Sequence, residues 1–217
     1  MNHNAKLIVF DWDGTLMDSV AHIVYCLRSA ITNLKLEPKT DEELKNIIGL
    51  GLREALFDLY PSATDKDLTD LTDQYREHFF DKNIDASELF TGARSLIEAL
   101  DGKEYFLSVI TGKGRNGLDK VLKLTQMGKH FPITRCADES QSKPHPQMLL
   151  DVIDYYGVEA NEVIMVGDTE YDLLMANNAG SKSIGVTYGV HEKQRLLDCK
   201  PLVCVDSIHD LHHWLLN

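Results

Sequence analysis

Short apolar runs alternate with helix-period stretches along most of this chain, and no other feature restricts its fold as strongly. The runs lie at residues 7–10, 106–111, 133–137, 163–167, 183–187 and 202–205. Helical patterns fall between them at 93–100, 118–124, 146–156 and 171–178. A strand that is apolar on both sides has to be covered on both sides, and an intervening helix does this. The spacing therefore predicts an α/β fold with a Rossmann-like parallel sheet and helices on both faces.

One segment breaks the rhythm. From Ser19 to about Leu89 only helical patterns occur, at 20–34, 41–48, 53–60 and 65–82. Asp18-Ser19 offers an N-cap to the first, and Thr40 with Glu43 three positions on forms a capping box for the second. The reading is a core of residues 1–16 and 90–217 carrying an inserted all-helical unit, 17–89, over one edge of the sheet.

Composition narrows the function. The chain is 43% hydrophobic and 26% charged, an ordinary globular mix, with a formal net charge of -12. Such a balance argues against nucleic acid, whose phosphates are met by Lys and Arg. It does not argue against small phosphates, which respond to local charge, a metal and helix N-termini. Cys26, Cys136, Cys199 and Cys204 show no CxxC spacing and are too sparse for a disulfide scaffold. No apolar run reaches membrane-spanning length, and the first strand begins too early for a signal peptide before it. The expectation is a cytoplasmic protein, monomeric or weakly dimeric.

In an open parallel sheet, ligands bind beyond the carboxyl ends of the strands. The first strand runs into Asp11-Trp12-Asp13-Gly14-Thr15, where Asp13-Gly14 makes a turn but Asp11 is costly without a partner. The second ends at Thr111-Gly112. Past the third comes Ser142-Lys143-Pro144-His145-Pro146, and after the fourth come Asp168 and Asp172. Singly, Thr111 or Asp168 is accounted for as a helix cap, Lys143 as a surface charge and Trp12 as a wall residue. Together they bring three carboxylates, a hydroxyl and a lysine to one edge. Crowded carboxylates repel unless a cation sits among them, and hard oxygen donors suit Mg²⁺.

DWDGT, ITG, the lysine of SKPHP and GDTEYD resemble, in that order, the four motifs of the haloacid dehalogenase superfamily. The insert stands where that family carries a helical cap, and the branch resembled is the phosphoglycolate phosphatase-like one. Thr91 stands where the family often has Pro. The second aspartate is kept by phosphatases and phosphomutases. The resemblance implies a Mg²⁺-dependent phosphatase acting on a small phosphorylated metabolite through an aspartyl-phosphate, with a phosphomutase as the alternative. It makes Asp11 the nucleophile and Asp13 the acid and base. It gives Mg²⁺ to Asp11, Asp13 through its carbonyl, Asp168, and Asp172 from behind. Thr111, Gly112 and the turn of Trp12, Gly14 and Thr15 surround the phosphoryl group, with Lys143 offsetting its charge. In the cap, Gly49-Leu50-Gly51-Leu52-Arg53 resembles a specificity loop, and Arg53 is the candidate for contact with the leaving group.

A rival comes from another class. Gly112-Lys113-Gly114-Arg115-Asn116-Gly117 fits GxGxxG between a strand and a helix, and Asp138 follows roughly 20 residues on, as in an NAD-binding unit. That reading leaves Asp11, Asp13, Lys143 and Asp168 without work. His209 and His213, spaced i, i+4, read as the solvent face of the last helix, and His145 as near the site without acting in it.

Overall fold

The computed structural model describes residues 4–81 and 89–217. Six strands, β1 (Leu7–Phe10), β2 (Phe106–Thr111), β3 (Ile133–Cys136), β4 (Val163–Gly167), β5 (Lys182–Val186) and β6 (Val203–Val205), form one sheet in the order β3-β2-β1-β4-β5-β6. Every neighbouring pair is parallel. The order reverses at β1, so the chain leaves β1 at the switch point where such sheets bind ligands.

All four residues of β1 are buried, two on each face. Ile8 and Phe10 join the layer of α5 (Ala93–Asp101), α6 (Arg115–Thr125) and α10 (Ile208–Leu216), with Leu96, Val121 and Leu211. Leu7 and Val9 join the layer of α7 (Gln147–Tyr156) and α8 (Glu170–Asn178), with Met148, Val152 and Met175. The two-residue period of the strand is what divides the core in this way. A further short helix, α9 (Lys193–Asp198), lies beyond β5 and was not among the predicted helices.

The helical segment contains α1 (Val20–Asn33), α2 (Asp41–Asn46), α3 (Leu52–Leu59) and α4 (Asp65–Asp81). The predicted end of α4 at Lys82 and the insert's residues 83–88 lie outside the described residues. Helix α1 packs on α4 and α2, and α3 packs on α4. Ile23, Leu27, Ala30 and Ile31 supply the buried stripe of α1 at helical spacing. These side chains belong to the same apolar cluster as Ile8 and Phe10, so the helices share a continuous core with one sheet face.

The capping box of α2 is present, Glu43 N donating to Thr40 Oγ1 and Thr40 N to Glu43 Oε2. The predicted Ser19 cap is not made through its side chain. Ser19 stands at the N-cap of α1, but its hydroxyl is turned to Asp13. The two chain crossings between segment and sheet pair with each other: Met17 bridges to Leu89, and Phe90 N donates to Leu16 O.

Candidate active site

Asp11 extends the ladder of β1, its N–H donating to Val166 O of β4 at 2.9 Å. This fixes its backbone and points the carboxylate past the sheet edge. Oδ1 meets Lys143 Nζ at 2.7 Å, while Oδ2 is buried without a hydrogen-bond partner. The same ammonium lies 2.6 Å from Asp172 Oδ1. All three side chains are buried. Burial alone would lower the pKa of Lys143, but Asp11 and Asp172 outweigh it and hold the ammonium charged.

Asp168 is held by two donors. Thr15 Oγ1 reaches Oδ1 at 2.8 Å and Val190 N reaches Oδ2 at 2.9 Å. Asp168 does not cap α8. Thr169 does so, closing a capping box with Asp172, whose Oδ2 accepts from Thr169 Oγ1 at 2.7 Å. Asp168 is thereby free to face the cluster, and the remaining oxygen of Asp172 is left to Lys143.

Carboxylate oxygens of Asp11, Asp168 and Asp172 lie within 4.8 Å of one another. Among the described residues one ammonium stands among these three carboxylates, so their full ionisation leaves two negative charges unbalanced in a buried site. The electrostatics register this. Burial, with Asp172, Asp168 and Asp13 adding to it, pushes Asp11 well above the carboxylate range despite Lys143. Burial and Asp172 push Asp168 up to about 7 against the bonds from Thr15 and Val190.

Asp13 points elsewhere. Its Oδ1 accepts from Ser19 Oγ at 2.5 Å, and its Oδ2 lies 2.9 Å from Lys113 Nζ. In the sequence Lys113 has no signal beyond its place in the glycine run. Its side chain is 8% exposed, and its ammonium sits 4.3 Å over the ring centroid of Phe79 on α4. Thr111 is buried and its hydroxyl accepts from Lys113 N at 3.1 Å, which curls the loop behind β2.

A cavity of about 590 Å³ opens between these groups and the helical segment, with Asp11, Asp13, Thr111, Gly112 and Lys113 on one wall and Leu50, Arg53, Tyr75, Arg76 and Phe79 on the other. The segment is docked against the sheet's loops. Gly51 N donates to Ser142 Oγ at 2.6 Å, and Tyr171 Oη donates to Asn46 O at 2.9 Å. Gly112 passes so near the Gly49–Leu50 turn that a Cβ on it would lie 2.2 Å from Leu50 O.

Several predicted site residues take other places. The indole of Trp12 is fully buried and its Nε1 donates to Met17 Sδ at 3.1 Å, so the ring does not face the cavity. Thr15 turns its hydroxyl to Asp168 instead of the cavity. Arg53 lines the cavity, but its guanidinium is paired with Asp65 at 2.5 Å and is 54% exposed. Asp138, the acid of the dinucleotide reading, takes Arg115 N on both carboxylate oxygens at 3.0 and 3.1 Å. The N-terminus of α6, where that reading would place a pyrophosphate, is thus already occupied by a carboxylate. His209 and His213 are exposed, and His145 Nδ1 accepts from Gln147 N.

A buried acidic cluster with one lysine thus stands at the switch point of a parallel sheet, facing a cavity shared with the helical segment. The model of the haloacid dehalogenase-like hydrolase family matches residues 8–186, and the chain belongs to that family, in its phosphoglycolate phosphatase-like branch. It is 32% identical to a protein named probable phosphatase IndB from Dickeya dadantii, over 94% of this chain and 91% of that one. It is 28% identical to a phosphoglycolate phosphatase from Mannheimia succiniciproducens, over 97% and 98%. In fold it is similar to a hydrolase from Pseudomonas syringae, with a TM-score of 0.87 at 22% identity and 97% of each chain covered. The chain is an enzyme, a hydrolase of the phosphatase kind. Among the described residues no helix is long and apolar enough to cross a membrane.

Proposed function

We propose that this enzyme is a Mg²⁺-dependent phosphatase that hydrolyses small phosphomonoesters through an aspartyl-phosphate on Asp11. The observation that carries the reading is Asp11 Oδ2, a buried carboxylate oxygen with no hydrogen-bond partner beside Lys143 and at the cavity wall. In this reading Asp11 attacks phosphorus and the bond from phosphorus to the leaving oxygen breaks. Asp13 gives that oxygen a proton and then takes one from the water that releases phosphate, which restores Asp11. Thr111 and the backbone N–H groups near Trp12 and Gly112 hold the phosphoryl oxygens.

The donor set fits a hard divalent cation: all-oxygen, short of positive charge, and gathered within one small volume. Asp11, Asp168 and the Asp13 carbonyl would hold Mg²⁺, with Asp172 behind them oriented by Lys143 and Thr169. When bound, the ion neutralises charge on the phosphoryl oxygens.

The 17–89 segment acts as a cap that admits the substrate and closes over it. A cavity of about 590 Å³ suits a small metabolite. The relatives named phosphoglycolate phosphatase and pyrophosphatase PpaX accord with a small anionic phosphate compound. The four cysteines form no disulfide and three of them, Cys26, Cys136 and Cys199, are buried, which accords with work in the cytoplasm. The test is phosphate release from a panel of small phosphomonoesters with Mg²⁺ and with EDTA. Release that survives metal removal would defeat the reading.

A further inference from the structure

A lysine ammonium with little water around it is costly unless a partner is placed for it. Lys113 has two partners, from different parts of the fold. Its Nζ is 2.9 Å from Asp13 Oδ2 and 4.3 Å from the ring centroid of Phe79. Its backbone is fixed at both ends, N donating to Thr111 Oγ1 at 3.1 Å and O accepting from Ala137 N at 3.2 Å. The loop that carries it is pinned by Asp138 on Arg115 N and by Arg115 on Glu139 and Thr134. Phe79 is in turn seated among cap side chains, 5.0 Å from His22 and 5.7 Å from Tyr75 between ring centroids.

Asp13 therefore has both carboxylate oxygens assigned: Oδ1 to Ser19 at the start of the helical segment, and Oδ2 to a lysine whose other contact is that segment's α4. We propose that Lys113 is a positioning residue for proton transfer, setting the direction of the Asp13 carboxyl and making that direction depend on the docked α4 through Phe79. The inference rests on the reading of Asp13 as the general acid. A carboxyl that passes a proton to a leaving oxygen works only within a narrow range of direction, so releasing one of its two oxygens reduces transfer without touching the nucleophile.

Proton donation matters most for poor leaving groups, and this supplies the test. A series of aryl and alkyl phosphates of rising leaving-group pKa is run with wild type, Lys113→Met, Lys113→Arg, Phe79→Leu and Asp13→Asn. In Lys113→Met, kcat/KM for alkyl phosphates falls about 10–100-fold, while the most activated aryl phosphate stays within about threefold, so the leaving-group dependence steepens. Lys113→Arg restores most of the slope, and Phe79→Leu steepens it partway. A parallel loss across the series, or a rise in KM alone, in both Lys113→Met and Phe79→Leu overturns the role. An unchanged slope in those variants beside a steep one in Asp13→Asn overturns the role while leaving Asp13 as the acid. A wild-type slope in Asp13→Asn overturns both. Should Lys113→Met not fold, Phe79→Leu and Lys113→Arg decide the same question.

Discussion

A Cβ placed on Gly14 would lie 2.2 Å from Asp168 Oδ2, and Gly14 has φ of +81°. The turn that ends β1 and the carboxylate that follows β4 are thus packed so tightly that no side chain fits between them. The left-handed backbone adds a penalty of about 1–2 kcal/mol for any L-residue. Gly14→Ala should displace Asp168, weaken Mg²⁺ binding measured by calorimetry and lower kcat by about 100-fold, the cost of roughly 1 Å of misplacement. Wild-type metal affinity in the variant would contradict this.

Three buried carboxylates with one lysine should make the metal-free protein unusually responsive to cations. Mg²⁺ at 100 times its Kd should stabilise the fold by about 2.7 kcal/mol, visible as a rise in Tm. Asp168→Asn, which removes a proposed ligand and a charge, should raise the metal-free Tm and reduce the Mg²⁺ response. A metal-free variant less stable than wild type would show that the charge excess is not a destabilising feature.

With Asp11 as the proposed nucleophile, Asp11→Asn should eliminate turnover and leave no acid-stable phosphoenzyme, because no carboxylate oxygen remains to attack phosphorus. The substitution is nearly isosteric, so the far-ultraviolet spectrum should match wild type. Labelled phosphate retained on the protein in this variant would place the nucleophile elsewhere.

Glu139 gives a pH prediction away from the acidic cluster. Its hydrogen bonds from Arg115 hold its pKa below the ordinary value of 4.5. Since the folded pKa is lowered, the pair's stabilisation is complete above pH 4.5 and is lost as pH falls through the folded value beneath it. Both groups are about one-third exposed, so the expected contribution is about 0.5–1 kcal/mol. The difference in unfolding free energy between wild type and Glu139→Gln should be constant from pH 5 to pH 7 and shrink below pH 4.5. A difference unchanged at pH 3.5 would rule the pair out as its source.

Asn46, at the end of α2, is gripped from the sheet side by Tyr171 Oη on its carbonyl and Arg195 Nη1 on its side chain, the latter at 2.5 Å. Tyr171 lies in the first turn of α8, between Asp168 and Asp172 in the chain, so the seam and the acidic cluster share one stretch of chain. Asn46→Ala should loosen the seam, measured as faster limited proteolysis in the helical segment, and lower kcat/KM several-fold. Proteolysis at the wild-type rate would mean that Gly51 on Ser142 suffices to hold it.

Much of the architecture was legible because it follows from local periodicity. Strands apolar on both faces and helices between them imply a covered parallel sheet, and all six strands lie within a residue or two of where the pattern put them. The residues at the strand ends were legible as well, since Asp11 and Asp168 directly follow buried strands, Thr111 ends one, and Lys143 lies in the loop between β3 and α7. What each side chain touches was another matter. Thr15 reads as part of a phosphate turn and instead holds Asp168. Ser19 reads as a helix cap and instead holds Asp13. Arg53 reads as a contact for the leaving group, and its guanidinium is paired with Asp65. Lys113 had no signal of its own.

The sequence by itself determined the sheet, the helical insertion and the set of acidic and basic groups brought to one edge, because strand and helix periods and strand ends are properties of neighbouring residues. Only the tertiary structure decided which charges meet. Lys143 lies 132 positions from Asp11 and Thr15 lies 153 from Asp168. Partners so distant in the chain are chosen by the order of strands in the sheet and by how closely Gly14, Gly112 and the Asn46 seam let the segments approach. Local pattern carries no information about such distances, and a charge that neighbouring residues leave open is settled by whichever group packing brings within hydrogen-bond reach.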